Sequence, residues 1–224
     1  MGDQTPPPFL SLVSDELTAA VKKAGTTKTF SDGQTIHARG SPTPGLSIVI
    51  EGRVAFGVFN ADGAYFQTGI LGEGHCFGEV TLFTDMPRAY HAAAIGSTTV
   101  LSLPKPSFEL LFERHAEFSV AFLSTLTKRL YDVLDFADDL RRLRTDAKIV
   151  KQLLRLMQVG GFESNVVPVR QIDLAYALGL SRVSVGKALD DLQRGDLIRL
   201  GYGEIEILDK EGLLRLIPDE GFVQ

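Results

Sequence analysis

The stretch EFSVAFLSTLTKRLYDVLDFADDLRRL, residues 117–143, places apolar side chains at Leu123, Leu126, Leu130, Val133, Ala137 and Leu140 in alternating steps of three and four. That spacing is a heptad seam, which buries one stripe of a helix against a partner helix. Neither Pro nor Gly interrupts it. A single globular domain rarely needs one helix of this length, so the six seam residues are expected to form the interface of a homodimer. The competing reading is an ordinary amphipathic core helix.

On the N-terminal side the texture is that of β-structure. Short apolar runs, Leu46–Ile50 and Val54–Val58, alternate with the turn signals Asp32-Gly33, Arg39-Gly40, Glu51-Gly52, Asp62-Gly63 and Gly72-Glu73-Gly74. Many short strands at this spacing predict a β-roll or jelly roll. Asp62-Gly63 is the best hairpin candidate. Thr98–Leu103 reads as the last strand, since Pro104 and Pro106 then break the ladder. Pro106 suits the first turn of a short helix through Phe108 and Leu111. Ahead of the strands, residues 1–8 form a Pro-rich start. Ser14 caps a helix whose face is Leu17 and Val21 and which Gly25 ends.

On the C-terminal side, Thr145 or Asp146 is placed to cap a helix bearing Ile149, Leu153, Leu154 and Met157, ended by Gly160 and Gly161. Val166–Val169 is read as a brief strand. The segment QIDLAYALGLSRVSVGKALDDL, residues 171–192, then carries the pattern of a helix-turn-helix. Ala175 is small where two helices must approach, Gly179 permits a left-handed turn, and Ser181 caps the second helix. Leu174, Leu178, Val185 and Leu189 are the buried stitches. Leu197–Leu200 and Glu204–Ile207 flank Gly201-Tyr202-Gly203 as a hairpin wing. Capping at Ser181 puts Arg182, Val183, Ser184 and Lys187 on the turns that reach base edges. Arg182 has the forked donors that grip guanine, Lys187 reaches a base or a phosphate, and Val183 suits a thymine methyl. Arg170, Arg194 and Arg199 are candidate phosphate contacts.

The 224 residues, 44% hydrophobic and 23% charged, describe a soluble two-domain protein. No apolar run is long enough to span a membrane, and the N-terminus has no signal-peptide pattern, so a cytoplasmic protein is expected. Cys76 is the only cysteine, which excludes internal disulfides and cysteine-held iron–sulfur clusters. A formal charge of −5 argues against indiscriminate coating of nucleic acid, but not against a reader with its few cations on one face. As an enzyme, the β-roll would be a cupin-like metal site. His37, His75, His91 and His115 are scattered, however, and no nucleophile elbow or P-loop is present. No catalytic and no metal-ligating residues are therefore assigned. Haem ligation through His75 or Cys76 is a further alternative.

In this order of parts, the chain resembles the Crp/Fnr family of bacterial transcription regulators. The resemblance rests on the glycine-rich β-roll, Phe77-Gly78-Glu79-Val80 followed by Pro87-Arg88, the long helix, and Ser181-Arg182 opening the recognition helix. It implies an α+β chain with three segments: a cyclic-nucleotide-binding-like β-roll sensor (1–116), a dimerisation and coupling helix (117–144) and a winged helix-turn-helix domain (145–224). It also implies a homodimer on near-palindromic double-stranded DNA, in contact with RNA polymerase. In nucleotide-binding members the stretch matching Gly78 to Arg88 cradles the ribose-phosphate of cyclic AMP or cyclic GMP. The resemblance thus assigns Gly78, Glu79, Val80, Arg88, Ala89, Val133 and Leu134 to a ligand pocket. Two features depart from the pattern. Ala89 follows Arg88 where binders carry Ser or Thr, so a phosphate donor is missing. Val133 and Leu134 replace two hydroxyl residues that meet adenine, and neither hydrogen-bonds a purine. A regulator of the same fold that needs no small ligand is the alternative these departures suggest.

Overall fold

A computed structural model describes residues 7–42, 44–60, 62–160 and 165–218. Residues 1–6 of the Pro-rich start and Gly161, expected to help end a helix, lie outside them. The chain is α+β, and it divides into two compact units whose boundary in the long helix falls between Asp132 and Val133.

The first unit begins with a single 3-10 turn, Phe9–Leu12, and α1, Asp15–Ala24. Ser14 caps α1 by accepting from the Leu17 N–H, and the carboxylate of Glu117 in turn accepts from the Ser14 backbone N–H and hydroxyl. Gly25 ends α1 in extended rather than left-handed backbone. Its small size is needed because a Cβ there would lie 2.8 Å from the Ser102 carbonyl oxygen. The strands are β1 (Thr26–Phe30), β2 (Thr35–His37), β3 (Gly45–Phe59), β4 (Tyr65–Leu71), β5 (Cys76–Phe77) and β6 (His91–Pro104). They form an antiparallel roll in the order β1-β6-β3-β4, with β2 on β6 and β5 on β3.

Two expected strands, Leu46–Ile50 and Val54–Val58, turn out to be one. Glu51-Gly52 does not reverse the chain but forms an irregularity in register against β6, with Gly52 at φ +82°. A bulge absorbs the extra residues and bends a long strand, as a roll requires. The last strand likewise extends back to His91, because Gly96 sits opposite this irregularity. Alternation along β3 and β6 feeds two cores. Leu46, Ile48, Leu101 and Leu103 face an outer cluster with Phe9, Leu17, Val21, Phe108, Phe118 and Phe122. Val49, Val54 and Val100 face an inner cluster with Phe30 and Phe77. A short α2, Val80–Phe83, and α3, Lys105–Arg114, complete the unit together with the start of α4, Ala116–Arg142.

The second unit holds Phe66–Thr68 of β4, the rest of α4, α5 (Thr145–Val159), β7 (Val166–Val167), α6 (Gln171–Leu178), α7 (Arg182–Arg194), β8 (Ile198–Leu200), β9 (Ile205–Ile207) and α8 (Lys210–Leu214). The N-cap of α5 is Arg144, not Thr145 or Asp146; the Asp146 carboxylate instead accepts from the Ala147 N–H and lies 3.7 Å from Arg144. β7 stops at Val167 because Pro168 cannot donate to the ladder. A four-member ion network ties the end of α4 to α5. Asp135 and Asp139 receive both Lys151 and Arg155, and the Arg155–Asp139 contact is 2.7 Å. Asp139 is only 2% exposed, so its charge is tolerated because both cations meet it. No described helix is long and apolar enough to cross a membrane.

Candidate nucleic-acid interface and sensor cradle

The reading element is built from α6, its turn and α7. Gly179 adopts φ +62°, ψ +32°, and the Leu180 N–H donates to the Ala175 carbonyl, a left-handed helix stop that glycine adopts without strain. Leu174, Leu178, Val185 and Leu189 are all buried, each contributing roughly 1.5–3 kcal/mol of transfer free energy. Ala175 is buried with them, where a larger side chain would force the helices apart. Ser181 caps α7: its Oγ accepts from the Ser184 N–H at 3.0 Å and lies 2.8 Å from the Ser184 hydroxyl. Ser184 is therefore partly occupied with the cap.

Arg182, Val183 and Lys187 stand on the solvent face of the first two turns of α7, with Val183 82% exposed. The three candidate phosphate contacts, Arg170, Arg194 and Arg199, are held by neighbouring carboxylates. Arg170 forks onto Asp173 through Nε and Nη2, both at 2.7 Å. Arg194 pairs with Asp191, and Arg199 reaches Glu206 across the β8–β9 ladder at 2.6 Å. Among the described residues Arg182 and Lys187 carry no such pair. Tyr202, at the tip of the wing, is fully exposed.

In the roll, Gly78 has φ +93°, and a Cβ added to it would run into the Arg88 guanidinium. Arg88 is buried, its Nη2 donates to the Gly45 carbonyl at 3.1 Å, and its backbone is pinned by Gly40 and Ser41. Burial pulls the guanidinium below its ordinary range, and the Glu79 carboxylate pulls it back. In the structure Glu79 makes its ion pair with Arg129 of α4, at 2.7 Å, and Arg129 also donates to the Cys76 carbonyl. Arg129 was missed, although its spacing from Phe118, Phe122 and Thr125 puts it on the buried face of α4.

Val80 opens α2 and Ala89 is exposed beside Arg88. Val133 and Leu134 are exposed on α4. His75 turns Nδ1 to the Gly72 and Glu73 carbonyls. The Cys76 thiol faces the outer cluster, where burial pushes it up to about 11. These two side chains do not converge. Nor do His37 and His91 of the cupin alternative: His37 bonds Ser47, and His91 bonds Thr35.

Along α4 the structure separates two parallel apolar rows. Leu126 packs against the chain's own outer cluster, beside Phe122 and Phe108, whose rings are 4.8 Å apart. Val120, Leu123, Leu130 and Leu134 are exposed, with Tyr131 and Val133 at the flanks. Together with Thr127 they form a stripe in steps of three and four.

Residues 27–115 match the model of the cyclic nucleotide-binding domain, and residues 147–216 match that of the Crp-like helix-turn-helix domain. A CRP-like cAMP-activated global transcriptional regulator of Mycobacterium tuberculosis is 31% identical over 191 residues, covering 83% of this chain and 85% of its own. A crystal structure of a Crp/Fnr-family transcriptional regulator from Thermus thermophilus is 28% identical with a TM-score of 0.65, covering 85% of this chain and 97% of that one. The c-di-GMP responsive global regulator of Xanthomonas campestris shares the fold, with a TM-score of 0.71 at 20% identity, over 87% of this chain and 99% of that one.

Proposed function

The chain belongs to the Crp/Fnr family of transcription regulators, and from that membership we propose how it works. It is a cytoplasmic homodimer without catalytic activity, which reads near-palindromic double-stranded DNA through α7 and acts on transcription through RNA polymerase. The observation that carries the DNA-reading part is the exposed row Arg182, Val183 and Lys187 on a helix capped by Ser181 and seated on a buried stitch. Arg199, Arg170 and the wing contact phosphates. The dimer forms along the stripe Val120, Leu123, Thr127, Leu130 and Leu134. Ala137 and Leu140 continue the apolar line toward the end of α4. These exposed apolar side chains call for a partner, and a second copy supplies the same stripe.

The sensor binds a cyclic nucleotide through its phosphate. Gly78 leaves room for the anion, Arg88 neutralises it with charge-assisted hydrogen bonds, and Glu79, oriented by Arg129, accepts from the ribose hydroxyl. One specific observation favours a second reading, a regulator that needs no ligand: Val133 and Leu134 are apolar, Leu134 within the dimer stripe and Val133 at its flank. Thermal melting with cyclic AMP and cyclic GMP separates the two. Binding at about a hundred times Kd adds roughly 2.7 kcal/mol, a rise in Tm of about 5–10 °C for a chain of this size. Arg88→Ala should reduce the affinity at least tenfold. No shift with either nucleotide at millimolar concentration would favour the ligand-free reading.

A further inference from the structure

The loop between β2 and β3 is organised around Arg88. Gly40 donates its backbone N–H to the Arg88 carbonyl, Ser41 accepts from the Arg88 N–H, and Gly45 accepts from the side chain. His37 stands at the entrance to this loop, and its Nε2 lies 2.8 Å from the hydroxyl of Ser47, two residues beyond Gly45 on β3. The His37 ring also meets Phe77, the residue before Gly78, edge-on at 5.7 Å between centroids. Arg88 and His37 are therefore both anchored to the same short run of β3, and both abut the Phe77-Gly78 turn.

We propose that His37 is the second cationic group of this cradle, and that a phosphate-type anion bound over Arg88 draws one proton from water onto its imidazole. The inference rests on the anion reading of the cradle given above. While the cradle holds no anion, burial, reinforced by the positive charge of Arg88, lowers His37 to about 4, so the ring is neutral. Neutralising Arg88 removes the second cause and adds an attractive charge in its place. The protonated ring still donates from Nε2 to Ser47. The other ionisable groups nearby are directed elsewhere. Glu79 is held by Arg129 of α4, Cys76 faces the outer cluster, and His91 of β6 is bonded to the Thr35 hydroxyl. His37 thus compensates for the hydroxyl donor absent at Ala89, but only with a proton aboard.

The sign follows from linkage. A group whose pKa rises on binding takes up a proton, so affinity increases as pH falls through the bound-state value. The full-length protein titrated with cyclic AMP or cyclic GMP should bind at least threefold more tightly at pH 5.5 than at pH 7.5. His37→Gln should lose the gain, its affinities at pH 5.5 and pH 7.5 agreeing within twofold. In protein with ¹³C-labelled histidine, the His37 ring should titrate at higher pH with cyclic AMP than without, a readout that needs no variant. A His37→Gln protein retaining the full gain, or a His37 titration unmoved by ligand, would overturn the role of His37 and leave the cradle standing. No binding of either nucleotide at either pH would overturn both.

Discussion

Arg182→Ala should weaken binding to a selected operator by about 1–3 kcal/mol in each half-site. A dimer carries the change twice, so the loss is on the order of 30-fold to 10⁴-fold, read by fluorescence anisotropy at a stated salt concentration. The physical basis is that Arg182 projects from the first turn of α7 with no carboxylate partner among the described residues, so its fork is available to the O6 and N7 of guanine. Relaxed discrimination at one base pair of each half-site should accompany the loss. Arg199→Ala supplies the contrast. Its guanidinium is already paired with Glu206, so its removal should weaken binding to all sequences alike, lower the salt slope by no more than about one per site, and leave base preference intact. Equal effects of the two variants on specific and random DNA would speak against the assigned recognition turn.

Leu130→Asp should convert the protein to a monomer and reduce operator affinity at least a hundredfold. Leu130 is 59% exposed at the centre of the stripe formed with Val120, Leu123 and Leu134. In an isologous helix pair it meets the symmetry-related stripe, so the variant puts two carboxylates near one another in an apolar seam. Each protomer loses the roughly 1.5–3 kcal/mol of burying one leucine, and repulsion and desolvation add to that. Because Leu130 makes no contribution to either buried cluster of the roll, folding should be retained. Sedimentation velocity gives the mass, and circular dichroism the fold. Leu126→Asp is the informative counterpart. Leu126 packs on the chain's own core, so that variant should unfold the first unit before it separates the dimer.

The contrast between Leu126 and Leu130 shows where the sequence was and was not legible. A heptad pattern established a long helix with one apolar stripe, but α4 carries two parallel rows in steps of three and four, and spacing alone cannot rank them. Only the packing of Phe108, Phe118 and Phe122 decides which row turns inward. The same limit hid Arg129, whose partner Glu79 lies fifty residues away in sequence on a different element. Glu51-Gly52 read as a turn because Gly favours one, yet the register of β3 on β6 across the sheet makes it an irregularity within one strand. His37 looked like a scattered histidine, since its surroundings come from the long-range return of Ser47 and Arg88 to one place. By contrast, the reading element was legible almost residue by residue. Its determinants are local: a cap at Ser181, a left-handed Gly179 and stitches at fixed offsets all act within a few turns of helix.

Enrichment of bound duplexes from a random library by the wild-type protein, at roughly physiological ionic strength and with cyclic AMP present and absent, tests the dimeric DNA reader most directly. The expected product is a near-palindrome whose half-site centres lie about one helical turn apart, roughly 10 base pairs, with a guanine at the position that Arg182→Ala relaxes. Recovery of no common sequence under either condition, or of a motif lacking two-fold symmetry, would contradict it.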